Sequence, residues 1–99
     1  MRSIKKYVEH IKEELEGAKD YAEKYVECKA KGNMHNAERY KEMAADELRH
    51  ATYVHEMAVA DIQELNKIFR PPVEMQEAWD KAHKNYVEQV AWIKTMLAM

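Results

Sequence analysis

The stretch Cys28-Lys29-Ala30-Lys31-Gly32-Asn33-Met34-His35 decides how this chain folds. Gly32 favours the left-handed backbone that closes a helix, so Lys31-Gly32-Asn33 reads as a stop. Helical patterning runs away from it in both directions. Upstream, Ile4, Val8, Ile11, Leu15, Ala18, Ala22 and Tyr25 form one apolar stripe. Downstream, Tyr40, Met43, Ala44, Ala51, Val54, Ala58, Ile62, Leu65 and Phe69 form another. Both follow the i, i+3, i+4, i+7 rule of an amphipathic helix. A turn this short makes the two helices antiparallel neighbours.

The next break is Pro71-Pro72, which ends the second helix. Beyond it, Met75, Trp79, Ala82, Tyr86, Val90, Ile93 and Leu97 define a third stripe. The spacing predicts helices over about 3–30, 34–69 and 73–98, in one all-α domain spanning 1–99. Only two glycines and two prolines occur in 99 residues, which argues against sheet. Gly17 falls inside the first helix, at a cost of about 1 kcal/mol relative to alanine.

Composition excludes several functions. The net charge is −2 with both signs interspersed, so no basic stripe offers a nucleic-acid surface. No apolar run approaches the roughly 20 residues that cross a bilayer. The lone cysteine, Cys28, cannot form an internal disulfide and fits a reducing compartment, and the N-terminal residues lack a signal peptide's apolar core. The expectation is a cytoplasmic protein. A domain this small is marginal on its own, which favours association.

The informative residues are carboxylates on the apolar arcs. Most acids of the first helix point away from its stripe, but Glu14 falls roughly 60° from Ile11, inside the arc. Glu47 lies near the centre of the second stripe, with His50 at its edge one turn on. Burying an isolated carboxylate is costly unless it is paired or metal-bound. Glu14 is eighteen positions before Gly32 and Glu47 fifteen after it. The mismatch amounts to only about 4.5 Å of helix rise. The two acids are thus expected to face each other at one level, with Glu47-Leu48-Arg49-His50 supplying an imidazole on the same face. Asp46, four residues before His50, is placed to hold the second ring nitrogen. Tyr21 and Tyr25 are placed to hydrogen-bond a ligating carboxylate. Asp61, too far along the helix to share the site, is expected to pair with the third helix. His10, His35 and His55 read as surface or boundary residues.

The segments Glu13-Glu14-Leu15-Glu16-Gly17-Ala18-Lys19-Asp20-Tyr21 and Ala45-Asp46-Glu47-Leu48-Arg49-His50-Ala51 resemble two motifs of the ferritin-like di-iron carboxylate family. Rubrerythrin-type members carry a first-helix Glu followed seven residues later by Tyr, then Glu-x-x-His on the next helix. The likeness covers residues 10–55. It implies that Glu14, Glu47 and His50 are metal ligands, with Tyr21 and Asp46 behind them, and that iron, or manganese, is bound. A full bundle needs a Glu from each of two helices and Glu-x-x-His from the other two. One chain holds half of that set. The resemblance, which extends to encapsulated ferritins in length and layout, therefore implies a ferritin-like four-helix bundle completed by a homodimer or higher homo-oligomer. The activity implied is oxidation of Fe(II) by oxygen or peroxide. No paired Cys-x-x-Cys module is present, so peroxidase turnover would need a separate electron donor. Two other readings stand beside it. One is a helical interaction module using Ala91, Trp92 and Met96; the other is metal binding or storage without turnover.

Overall fold

The computed structural model describes residues 3–99, which form three helices and no strand. Helix α1 spans Ile4–Ala30, α2 spans Met34–Ile68 and α3 spans Val73–Leu97. The predicted ends differ by single residues, because Ser3, Phe69 and Ala98 are caps. Ser3 accepts a hydrogen bond from the Lys6 amide at 3.3 Å, satisfying one of the free donors of the first turn.

The turn is as tight as its sequence implies. Asn33 N–H reaches the Cys28 carbonyl at 2.9 Å, and Gly32 N–H reaches that of Lys29 at 3.0 Å. This pair of bonds is the Schellman closure, and it requires the positive φ of 78° found at Gly32. Asn33 then caps the next helix, its side chain accepting from Asn36 N–H at 3.2 Å. One residue thus both ends α1 and starts α2, which leaves the helices no option but to return side by side. At the other end, Phe69 is extended and Pro71-Pro72 turns the chain into α3.

Helix α3 runs parallel to α1, from the neighbourhood of Ile4 and Val8 to that of Lys29, which donates to the Met99 carbonyl. The shared core contains Tyr7, Ile11, Leu15, Ala18 and Ala22 of α1, Ala44, Leu48, Ala51, Val54 and Ala58 of α2, and Trp79, Ile93 and Met96 of α3. Alanines at the α1–α2 contact let the two backbones approach closely.

Several stripe assignments shift. Leu48 and Tyr7 are buried, whereas Met43, Phe69 and Met75 are exposed. Met96 is buried, not on the surface the interaction-module reading needed; Trp92 remains exposed. Asp61 accepts a hydrogen bond from the Tyr7 hydroxyl of α1, not from α3. A residue's neighbour decides its burial more than its place in the period: Asp61 meets α1 across the hairpin, and Phe69 lies at the cap of α2, past its packed turns.

Helix α3 meets α2 through a ring cluster. The His55 ring stacks on Tyr86 at 4.3 Å between centroids and on Trp79 at 5.6 Å. Thr52 donates its hydroxyl proton to the Leu48 carbonyl at 3.1 Å, so the Tyr86 hydroxyl, 3.3 Å away, donates to Thr52. Burial, and then the neighbouring His83, lower the His55 pKa, which keeps that ring neutral at neutral pH.

Candidate metal centre

Two parallel rows of side chains line the open groove of the hairpin. On α1 they are His10, Glu14, Gly17 and Tyr21; on α2 they are Tyr40, Met43, Glu47 and His50. Each row advances by three or four residues, so each lies on one face of its helix. Counting from Gly32, Gly17 and Glu47 are both fifteen positions away, and Glu14 and His50 both eighteen. The three-residue mismatch between the acids is thus real, and the structure absorbs it. His50 lies opposite Glu14, while Glu47 lies opposite a residue with no side chain.

That vacancy explains Gly17. A Cβ built on it would sit 3.2 Å from Glu47 Oε2, closer than an ordinary van der Waals contact. Glycine therefore gives the Glu47 carboxylate room to lie across α1 towards Glu14. The helix-propensity cost of about 1 kcal/mol is accepted at a position where a methyl group would crowd an acid.

One donor atom from each of Glu14, Glu47 and His50 lies within 4.8 Å of the other two. His50 Nδ1 is 3.6 Å from Glu14 Oε2 and 3.9 Å from Glu47 Oε1. An ion about 2.1 Å from each donor would see these separations at angles of about 120° and 135°. Contraction by a few tenths of an ångström brings them to the tetrahedral angle, whereas right-angled octahedral neighbours would need about 0.6–0.9 Å. The side chains are 19%, 26% and 53% exposed for Glu14, Glu47 and His50. The acids are therefore half-buried rather than central in the core, and the cluster opens to solvent on the His50 side.

The neighbouring Glu14 carboxylate, and then burial, raise the Glu47 pKa. Proximity to Glu47 lowers that of Glu14, and His10 and His50 also favour its charged form. Two carboxylates with an imidazole beside them make a compact donor set for a divalent cation.

His10, read from sequence as a surface or boundary residue, is a boundary residue and belongs to this group. Its Nε2 lies 3.1 Å from Glu14 Oε1, so the two oxygens of Glu14 face different histidines. The signal was present as the i, i+4 spacing of His10 and Glu14. Its own stripe gave no reason to prefer the groove over solvent.

The expected supporting residues sit elsewhere. Asp46 is paired with Arg49 and more than half exposed, and it makes no hydrogen bond to His50 among the described residues. Arginine at i+3 is the nearer and more strongly charged partner. Tyr21 stacks on Tyr40 at 6.2 Å with Lys24 over both rings, closing the turn-side end of the groove instead of binding an acid. Tyr25 is buried and its hydroxyl faces Lys29.

No family model, no curated protein and no solved structure matches this chain. No described helix is long and apolar enough to cross a membrane.

Proposed function

We propose that this chain is a ferritin-like di-iron protein that oxidises Fe(II) with oxygen or peroxide at a site shared between two subunits. The observation that carries the reading is the convergence of Glu14, Glu47 and His50 in one open groove. Carboxylate and imidazole donors suit Fe(II) or Mn(II). Three donors from one chain are too few for two ions. Two chains would supply four carboxylates and two imidazoles, the set that di-iron bundles use.

Two features of the surface favour pairing through this groove. Met43 and Met57 are exposed on the same face of α2 as Glu47 and His50, and Tyr53 is exposed one step round from His50, giving an apolar strip beside the donors. The chain also exposes more area than a compact monomer. Its 6701 Å² compares with about 5,900 Å² expected for 11.7 kDa. The excess, about 800 Å², is what one partner typically buries in a specific interface.

In this reading Glu14, Glu47 and His50 of the two chains would hold the Fe(II) that is oxidised. His10 orients Glu14 by holding its outer oxygen. Each Fe(II) releases one electron. Two electrons and two protons convert peroxide to two waters, or oxygen to peroxide. Peroxidase turnover with resident iron, in place of Fe(II) as substrate, would require a separate electron donor.

The test is anaerobic loading with Fe(II) followed by air. Near-ultraviolet absorbance of Fe(III) is expected to saturate at about two irons per dimer. Glu47→Ala is expected to abolish it with helicity retained. Tight Fe(II) binding without oxidation would favour storage, and no binding would favour an interaction module. Full absorbance in Glu47→Ala would exclude Glu47 from the site.

A further inference from the structure

A second group of donors lies where α3 meets α2, away from the carboxylate groove. His55 Nε2 of α2 and His83 Nδ1 of α3 are 2.9 Å apart, with ring centroids at 5.0 Å. One ring N–H donates to the other ring's nitrogen. We propose that these two imidazoles form a chelate for a borderline transition-metal ion such as Ni(II) or Cu(II), clasping α3 to α2.

The spacing suits a right-angled chelate. Two nitrogens 2.9 Å apart, each about 2.05 Å from one ion, subtend about 90°. That is the angle between neighbouring ligands in tetragonal or octahedral complexes, the geometries of Cu(II) and Ni(II). A tetrahedral ion would need the nitrogens about 0.4 Å further apart.

The chelate is also held in advance. His55 is stacked on both Tyr86 and Trp79, and Trp79 is itself buried in the core. Its ring therefore has little freedom to lose on binding, which favours affinity. Metal binding replaces the N–H···N proton. Nδ1 of His55 and Nε2 of His83 then carry the ring protons, leaving the facing nitrogens as lone-pair donors. His83 is exposed, so water has access to the remaining coordination positions. The ligands come from helices joined only by the Phe69–Pro72 connection, so occupancy would oppose separation of α3 from the hairpin.

The experiment uses the full chain carrying Glu14→Ala and Glu47→Ala, which removes the other carboxylate donors, and Ni(II) as the probe. Near one equivalent, the His55 and His83 imidazole signals are expected to broaden selectively in nuclear magnetic resonance spectra. The melting temperature is expected to rise by about 5 °C at saturating Ni(II). Adding His83→Ala, a change at an exposed position, should remove both effects while circular dichroism stays helical. Unchanged His55 and His83 signals at tenfold excess Ni(II) would reduce the contact to a hydrogen bond and overturn the proposal. Retention of the shift without His83 would overturn it equally. Fe(II) oxidation by the wild-type chain reads the groove alone, so either assignment can fail without the other.

Discussion

At the scale of single residues, Gly17 and Gly32 are glycines for different reasons. Gly32 needs its backbone, since φ is 78° and open space surrounds it. Gly32→Ala should cost about 1 kcal/mol through left-handed strain, read as a lower urea midpoint. Gly17 needs its missing side chain. Gly17→Ala should gain helix propensity and leave melting unchanged or higher. It should nevertheless weaken Fe(II) binding several-fold by pushing Glu47 away from Glu14, as an anaerobic titration would show. Equal loss of stability and binding would mean that Gly17 serves packing alone. Tyr7 belongs to the same scale. Its hydroxyl, buried among α1 side chains, meets the Asp61 carboxylate, so Tyr7→Phe should cost about 1–2 kcal/mol in chemical denaturation.

At the scale of elements, the α1–α2 hairpin and α3 are held differently. The hairpin is closed by a three-residue turn and by small residues in close contact. Helix α3 depends on a few large side chains: Trp79, Met96 and the fully buried Ile93. Ile93→Ala should therefore cost about 2–4 kcal/mol. Its effect should fall on α3, with amide exchange quickening over 73–97 before it quickens in α1 or α2. Uniform acceleration along the chain would show that the three helices unfold as one unit. The hairpin was legible in the sequence, because Gly32 is a local signal, but its register was not fully so: Glu14 and Glu47 were expected level, and the structure sets His50 opposite Glu14 and Glu47 opposite Gly17. The placement of α3 was not legible, because its stripe would fit either side of the hairpin.

At the scale of the whole molecule, the shape is a rod of 55 × 20 × 16 Å with a radius of gyration of 16.0 Å. A compact chain of this length would have a radius of about 13 Å. Such a rod leaves much of its surface uncovered, and the proposed pairing would cover the groove side. Tyr53→Lys combined with Met57→Lys places two charges on the exposed strip without touching the core. The pair is expected to lower the solution mass to that of one chain, keep the helical spectrum and abolish Fe(III) formation. A monomeric wild-type chain that still oxidises Fe(II) would sink the shared site.

The sequence alone determined where the helices stop, that the first two return side by side, and that Glu14, Glu47 and His50 fall close together. Those outcomes follow from periodicity and chain breakers, which act over a few residues. Only the tertiary structure decided that His10 joins Glu14, that Arg49 takes Asp46, and that Tyr21 turns to Tyr40. It also brought His55 to His83. Each of these choices lies between two partners of similar sequence spacing. The first two are settled by spacings of four and three residues within one helix, the third by the α1–α2 register, and the meeting of His55 with His83 by where α3 packs, which no local pattern encodes.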